Sequence, residues 1–525
     1  MAACSGDKRG EASALLDAAY AGDWATVLST LGARPELVGS ARRSGYTVLH
    51  QMAWHGASAE LVDEVLRLCG NRAEALLGAA SRDGVPAEIA TARGFPATAR
   101  ALRTAAAAAT TAPRGPAEHG ALPTGGGGVA PAAAAASAPA GGGDKASGET
   151  VALTRSEAER VFRVAMHAAA VGDAVGYRGG EWEFCTSGVA VDEQMLALGG
   201  AAALLPRKED GWPVSDDTVM HIATMEAFAS SPMRLPRSAG DSAELDALMT
   251  LMAERHVACW ADMPGRAPGN TCNRGVTALR RSGAAAWATA TPFSPQKDTG
   301  CGAAMRAMAI GVMYHERRFW PILVATAAES AVLSHHSFAG CASAVVAAAG
   351  CALALERVPV ADWPSAIVSD FVPELRRYLA ARPGERAVPM AVSGELSTLF
   401  CKRWQTYSDD PASRMTRETA SDPAARDAAF LALKHGWSAT SSVLISFQAM
   451  HAAGSDWATL LRFSAAHGGD SDSTATICGA WFGAMTAMRQ PEDAALAAQS
   501  AVVEYSDRIA ELCSALAARY LELRE

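Results

Sequence analysis

The sequence predicts an all-α protein. Apolar residues recur at three-to-four spacing in long segments rich in Ala, Leu and Met, which is the period of an amphipathic helix. Alternating apolar and polar runs with hairpin signals, which would indicate β-strands, are scarce. The clearest predicted helices are 155–171, 217–228, 244–259, 320–333 and 493–523.

Length, charge and cysteine pattern limit the class of protein. A chain of 525 residues that is 50% hydrophobic and 19% charged can build more than one buried core. A net charge of −9 argues against a general nucleic-acid binder. The 11 cysteines include no C-x-x-C pair, and the first residues contain no apolar targeting run, so we expect free thiols and a cytoplasmic location.

A low-complexity segment divides the chain into two domains. Residues 104–150 are mostly Ala, Gly, Pro, Ser and Thr, which cannot form a core and predict a flexible linker. Residues 11–103 form the smaller domain, in which 45–53 and 83–90 resemble successive ankyrin repeats. An ankyrin-like domain implies a surface for a protein partner that the sequence does not identify. Residues 151–525 form the larger domain.

One uncharged stretch, 337–355, is nearly long enough to span a membrane. Its Ala, Gly, Ser and Cys content is typical of a tightly packed helix. We therefore expect an interior helix and no membrane partner.

Two acidic clusters each open an apolar helix, the first at 214–218 and the second at 468–474. Helix capping explains each cluster by itself, because Ser and Asp satisfy the N–H groups of a first turn. If Asp216, Asp217, Asp470 and Asp472 converge, however, their charges repel unless divalent cations lie between them. Carboxylate and hydroxyl oxygens suit Mg²⁺ or Mn²⁺.

The second cluster also matches two unrelated motifs. As a calcium-binding EF-hand loop it fails, because Ala475 replaces the glycine of the sixth position and Trp481 the glutamate of the twelfth. It also matches the D-x-D-x-T nucleophile motif of haloacid-dehalogenase-type phosphatases. That motif should follow a buried strand, whereas here it lies late in a helical domain, so the phosphatase stays an alternative.

Seven motifs of the larger domain occur in the order typical of one family. They are 172–177 (GDAVGY), 182–184 (WEF), 215–221 (SDDTVMH), 262–269 (DMPGRAPG), 300–308 (GCGAAMRAM), 334–336 (SHH) and 468–474 (GGDSDST). On these motifs, residues 155–525 resemble the ADP-ribosylglycohydrolase family, most closely its ADP-ribosylarginine hydrolase branch. The resemblance implies an all-α catalytic domain with a two-metal cleft, active as a monomer on ADP-ribosylated proteins.

The resemblance also implies roles for individual residues. Two Mg²⁺ ions, with Mn²⁺ as the alternative, would be held by Ser215, Asp216, Asp217, Asp470, Asp472 and Ser473. The catalytic residues would be Glu183 as general acid–base, with Asp217 and Asp472. ADP-ribose would be bound by Asp298, Thr299, Gly300, Cys301, Gly302, His335, Gly436 and Trp437. We interpret Cys301 as a small spacer and Arg306 as a structural helix residue.

The sequence departs from the arginine-specific branch in two places. The segment 436–443 is shorter and lacks a His-Asp pair, and Phe338 replaces a proline. Three functions therefore stay open: hydrolysis of ADP-ribosylarginine, hydrolysis of ADP-ribosylserine or O-acetyl-ADP-ribose, and recognition of ADP-ribosylated proteins without hydrolysis. The complete set of carboxylates favours the first.

Overall fold

The computed structural model describes residues 24–40, 46–55, 57–69, 73–79, 84–92, 95–111, 152–294, 299–382 and 395–525, together with 15, 16, 18, 19 and 81. The chain divides into two compact units, one within 1–144 and the other within 145–525. The described residues contain helices and two isolated β-bridges but no strand, which confirms the all-α prediction. Most of the predicted linker, 112–150, lies outside the described residues, so the predicted domain limits stay a prediction.

The first unit is built from short helices around its own apolar core. Within its described residues the α-helices are α1 (Trp24–Ala33), α2 (Val48–His55), α3 (Ala59–Cys69), α4 (Ala73–Leu77), α5 (Pro86–Ala92) and α6 (Pro96–Thr111). Nδ1 of His50 accepts a hydrogen bond from the backbone N–H of Thr47 at 3.1 Å, and this bond closes the turn that begins α2. The assignment of this unit to the ankyrin repeats stays a prediction.

The second unit is a larger assembly of helices around one continuous core. Its described α-helices are α7 (Arg155–Tyr177), α8 (Gly188–Ala197), α9 (Asp216–Ser230), α10 (Ser242–Ala258), α11 (Asn270–Ser282), α12 (Trp287–Ala290), α13 (Met308–Met313), α14 (Trp320–Val332), α15 (Phe338–Leu355), α16 (Trp363–Ala366), α17 (Val372–Ala381), α18 (Glu395–Asp409), α19 (Arg417–Ser421), α20 (Pro423–Leu431), α21 (Ala439–Ala453), α22 (Trp457–Ala465), α23 (Ser471–Thr486), α24 (Ala494–Ser500) and α25 (Ser506–Glu522).

Helices α7 and α23 lie side by side and touch through their backbones. A Cβ atom on Gly172 would lie 2.2 Å from the carbonyl oxygen of Ala475, and one on Gly176 would lie 2.4 Å from that of Ser471. Only glycine permits this approach, because a real Cβ would overlap the opposite helix. The contact places α7 against the acidic N-terminus of α23.

One described helix, α15, is long and apolar enough to cross a membrane. Of its 18 residues, 94% are buried inside the protein. This burial agrees with the interior helix that the sequence predicts.

The prediction of one helix over 493–523 is wrong, because the structure has two helices there, α24 and α25. Tyr505 separates them with φ +67°, a left-handed conformation that a right-handed helix cannot include. The break turns Glu504 and Tyr505 toward Arg266, with which both form hydrogen bonds. The other four predicted helices are present.

Candidate active site

The two acidic clusters lie at the N-termini of α9 and α23. Asp216 and Asp217 stand in the first turn of α9, Asp470 is the residue before α23, and Asp472 lies in its first turn. All four are buried. Glu183, from the segment between α7 and α8, joins them: ligand oxygens of Glu183, Asp470 and Asp472 all lie within 4.8 Å of one another.

Helix capping accounts for the first cluster better than for the second. The Oγ of Ser215 caps α9 by accepting the N–H of Asp217 at 3.1 Å. Asp470 occupies the corresponding place before α23, yet its side chain makes no capping hydrogen bond. Helix capping therefore does not account for the Asp470 carboxylate.

The carboxylates of this site strongly disfavour one another's ionisation. Burial raises the pKa of Asp216, Asp217 and Asp470 well above the ordinary value, and the charge of Asp472 raises each further. The pKa of Glu183 is likewise raised well above its ordinary value by burial and then by the charges of Asp472 and Asp470. Such a cluster stays ionised at neutral pH only if positive charge is supplied.

The donor atoms of the site fit a divalent cation. Four buried carboxylate oxygens have no hydrogen-bond partner among the residues that the structure describes: Glu183 Oε2, Asp217 Oδ2, Asp470 Oδ2 and Asp472 Oδ1. A buried polar atom left without a partner costs about 1–3 kcal/mol, and a charged one costs more. Hard cations such as Mg²⁺ take oxygen ligands of this kind, so a metal centre would remove this cost.

We expect removal of divalent cations to make stability fall as pH rises. In the metal-free protein the folded state holds protons on carboxyl groups with raised pKa values, whereas the unfolded state releases them near pH 4. Stability is therefore lost as pH rises from about 4 through the raised pKa values of the folded state. Melting temperatures across this range, with a chelator and with Mg²⁺, test the expectation. Equal pH slopes in both series would contradict it.

Asp173 is a buried acid to which the sequence analysis gave no role. Its Oδ1 accepts the backbone N–H of Ser215 at 3.0 Å, and its Oδ2 accepts that of Thr218 at 3.0 Å. Burial, and then the charge of Asp472, raise the pKa of Asp173 to about 7. It fixes the start of α9 from α7. An acid next to glycine in the mostly apolar C-terminal half of α7 was the available signal.

Glu183 is held between two aromatic neighbours. Trp182 is fully buried, packs edge-on against Trp212 at 5.3 Å between ring centroids, and donates from Nε1 to Gln194 at 2.9 Å. Phe184 stacks on Trp437 with the ring planes 14° apart. The stack joins the segment that carries Glu183 to a residue predicted to bind ADP-ribose.

The predicted ADP-ribose residues lie together beside the acidic cluster. The carbonyl oxygen of Thr299 accepts the N–H of Ala439 at 2.6 Å, and Gly300 forms a β-bridge with Ser438, next to Trp437. Cβ atoms added to Gly300 and Gly302 would lie 3.7 and 3.2 Å from His335 Nε2.

Gly436 connects this group to the acids, because a Cβ there would lie 3.1 Å from that of Asp470. Asp298 lies outside the described residues. Ser473, in the first turn of α23, is buried beside Met305, with 4.0 Å between its Oγ and the methionine Sδ.

Cys301 and Arg306 occupy places that agree with their structural interpretation. Burial raises the pKa of the Cys301 thiol well above its ordinary value, and the charge of Asp470 adds to the shift, so the thiol stays protonated. Arg306 is fully buried. Its guanidinium donates to the carbonyl oxygens of Gly302 and Ser330, and to Ser334 Oγ. These hydrogen bonds fix the 300–302 loop to the segment 330–334.

A left-handed turn links Trp437 to Asp470. Lys434, His435 and Gly436 have φ values of +57°, +54° and +86°. The turn directs the carbonyl oxygen of His435 to the N–H of Asp470 at 2.8 Å. Two consecutive residues with a Cβ in this conformation store strain at about 1–2 kcal/mol each.

We expect Lys434→Gly to stabilise the protein by about 1 kcal/mol, because glycine adopts the left-handed conformation without strain. Chemical denaturation measures the change. As a matched control, Lys402→Gly within α18 should destabilise by about 1 kcal/mol. Destabilisation by both substitutions would show that the turn carries no strain.

A family model for ADP-ribosylglycohydrolases matches residues 154–523. The chain belongs to the ADP-ribosylglycohydrolase family. It is 28% identical over 351 residues to ADP-ribosylhydrolase ARH1 of Dictyostelium discoideum, covering 62% of this chain and 86% of that protein. It is 23% identical over 367 residues to a protein of Acanthamoeba polyphaga mimivirus named as an ADP-ribosyl glycohydrolase, covering 65% of this chain and 66% of that protein.

Among solved structures, one described as an ADP-ribosylglycohydrolase-related protein complex is 15% identical, with a TM-score of 0.42, and covers 70% of this chain and 99% of that chain. Membership of the ADP-ribosylglycohydrolase family places the protein among metal-dependent hydrolases that act on ADP-ribose conjugates.

Proposed function

We propose that the protein is a Mg²⁺-dependent hydrolase of mono-ADP-ribosylated proteins that cleaves the N-glycosidic bond between ADP-ribose and arginine. The observation that carries the hydrolase part of this proposal is the buried cluster of Glu183, Asp470 and Asp472, each with a carboxylate oxygen that has no hydrogen-bond partner among the described residues. We propose two ions, held by the predicted ligand residues, with Mn²⁺ as the alternative metal.

The residues divide the work of hydrolysis between them. When bound, the metal would polarise the ribose oxygens and orient water at the scissile bond. Glu183 Oε2 is buried and has no hydrogen-bond partner in the ranges that the structure describes, and the pKa of this carboxyl is raised. Glu183 can therefore hold a proton for the leaving nitrogen and later take one from water. The backbone N–H groups of the 300–302 loop would be the donors to the diphosphate, whereas Gly302 is required for packing, because a Cβ there would lie 2.4 Å from Cys272 Sγ.

A second candidate is hydrolysis of ADP-ribosylserine or O-acetyl-ADP-ribose. The segment after Trp437 enters α21 at once, at Ala439, and a capping box joins Ser438 to Ser441. This short segment offers different contacts to the distal part of a substrate than a longer loop would. The acidic cluster is common to both candidates.

Turnover of the three substrates by the full chain tests the proposal. We expect release of free ADP-ribose from an ADP-ribosylarginine protein with Mg²⁺ and none with a chelator. Faster turnover of the serine or ester substrate would favour the second candidate. Calorimetric binding of ADP-ribose without any turnover would instead indicate a module that recognises ADP-ribosylated proteins.

The N-terminal unit and the location of the protein complete the proposal. We propose that the first unit binds a separate protein partner, that the catalytic unit acts as a monomer, and that the protein is cytoplasmic. Deletion of residues 1–150 with unchanged turnover of a small substrate would support independent roles for the two units.

A further inference from the structure

Val214 precedes the predicted metal ligands Ser215, Asp216 and Asp217, and both of its backbone polar groups are bound by one ion pair. Nη1 of Arg266 donates to the carbonyl oxygen of Val214 at 2.7 Å. The N–H of Val214 donates to Oε2 of Glu504 at 3.1 Å. The two peptide groups of Val214, which lead into the first turn of α9, are thus each held by one member of the ion pair.

The ion pair itself is bidentate and buried. Arg266 Nη1 donates to Glu504 Oε2 at 3.0 Å and Nη2 to Oε1 at 2.8 Å, and the two side chains are only 6% and 7% exposed. Two parallel bonds between planar groups fix orientation as well as distance. Burial opposes ionisation of Glu504, but hydrogen bonds from Arg266 and Lys208 hold its pKa below the ordinary value.

Arg266 also makes hydrogen bonds with a predicted metal ligand and with Tyr505. The backbone carbonyl oxygen of Arg266 accepts the N–H of Asp216 at 3.1 Å. Its guanidinium Nη2 also donates to the hydroxyl of Tyr505 at 2.9 Å. Glu504 and Tyr505 reach these positions because the chain breaks its helical course between α24 and α25.

We propose that Arg266 and Glu504 are positioning residues of the metal centre, which act by fixing Val214 and hence the turn that presents Asp216 and Asp217. The inference rests on the proposed function, because it takes those aspartates as ligands. Partners that orient metal ligands typically change metal affinity 10–100-fold when they are removed. Because Arg266 and Glu504 fix Val214, we assign them a comparable effect on metal affinity.

Calorimetric titration of Mn²⁺ and Mg²⁺ into the full chain tests the role without relying on turnover. We expect Glu504→Ala and Arg266→Met to weaken cation affinity about 10–100-fold. Glu504→Gln should weaken it less, because the amide oxygen still accepts the N–H of Val214. Unchanged affinity in Glu504→Ala, with an intact melting transition, would overturn the proposal.

A double variant separates positioning from simple stability. Replacing a buried ion pair by apolar residues often restores stability, so Arg266→Met combined with Glu504→Leu should recover the melting temperature lost by either single variant. It supplies no hydrogen bond to Val214, so cation affinity should stay weak. Recovery of affinity together with the melting temperature would show that the pair only stabilises the fold.

Arg524→Ala serves as the matched control, because it breaks another buried ion pair, with Glu316. It should lower the melting temperature and leave cation affinity unchanged. If the unaltered chain bound neither ion, the metal dependence of the proposed function would fail and this inference with it. If the unaltered chain binds and the Arg266 and Glu504 variants bind equally well, only the inference fails.

Discussion

Replacing Asp472 by asparagine is expected to abolish cation binding and hydrolysis together. Asp472 raises the pKa of each of its acidic neighbours in the site, and its Oδ1 has no hydrogen-bond partner in the described part of the chain. Asparagine removes the charge that attracts the ions. Replacing residues that only orient metal ligands typically lowers metal affinity or activity about 10–100-fold. Because Asp472 is a predicted ligand itself, we expect a loss of at least about 100-fold in metal affinity and in turnover.

The same substitution should not weaken the metal-free protein. Without Asp472 the remaining carboxylates lose their principal repulsive neighbour, so the melting temperature in a chelator should rise or stay equal. Asp456→Asn is the matched control, because Asp456 caps α22 by accepting the N–H of Thr459 at 2.7 Å and lies on an exposed part of the chain. Asparagine caps helices well, so this variant should stay active. Full activity in Asp472→Asn would refute the metal role.

Replacing Glu183 by glutamine is expected to reduce turnover by about 10²–10⁴-fold while ADP-ribose binding persists, because the amide cannot exchange a proton with the leaving group or water. The effect should appear in kcat rather than in KM. Because Glu183 lies within 4.8 Å of two predicted ligands, cation affinity has to be measured alongside. A general acid–base role predicts that this affinity changes little.

Glu181→Gln provides the control in the same segment. The Glu181 side chain is 60% exposed and pairs only with Arg178 at 3.3 Å among the contacts described, so turnover should be unchanged. Equal losses of turnover and cation affinity in Glu183→Gln would make Glu183 a metal ligand rather than the proton carrier. Retained turnover would remove both roles.

The sequence predicts the helices and the acidic motifs because both depend on local patterns. Three-to-four spacing marks α7 and α9, and paired acids at helix starts mark the cluster. The break at Tyr505 was missed because the surrounding residues favour helix, and the left-handed conformation is stabilised by tertiary contacts.

The hydrogen bonds that hold Val214 could not be predicted from local sequence patterns either. Its partner Glu504 lies 290 residues away, and the Arg266–Glu504 contact spans 238 residues. No spacing rule connects such positions. Asp173 falls between these cases. Its burial could be predicted from the apolar residues around it in the C-terminal half of α7, whereas its hydrogen bonds to the start of α9 could not.

The glycine contact between α7 and α23 divides the site into a fixed and an adaptable half. Because the two backbones touch at Gly172 and Gly176, the helices cannot slide or separate without losing their packing. Asp173 and Asp472 therefore share one rigid frame. The Glu183 segment and the turn at 434–436 lie in connecting segments outside that frame. Divergence toward new ADP-ribose conjugates should accordingly accumulate in these segments and spare the helix pair.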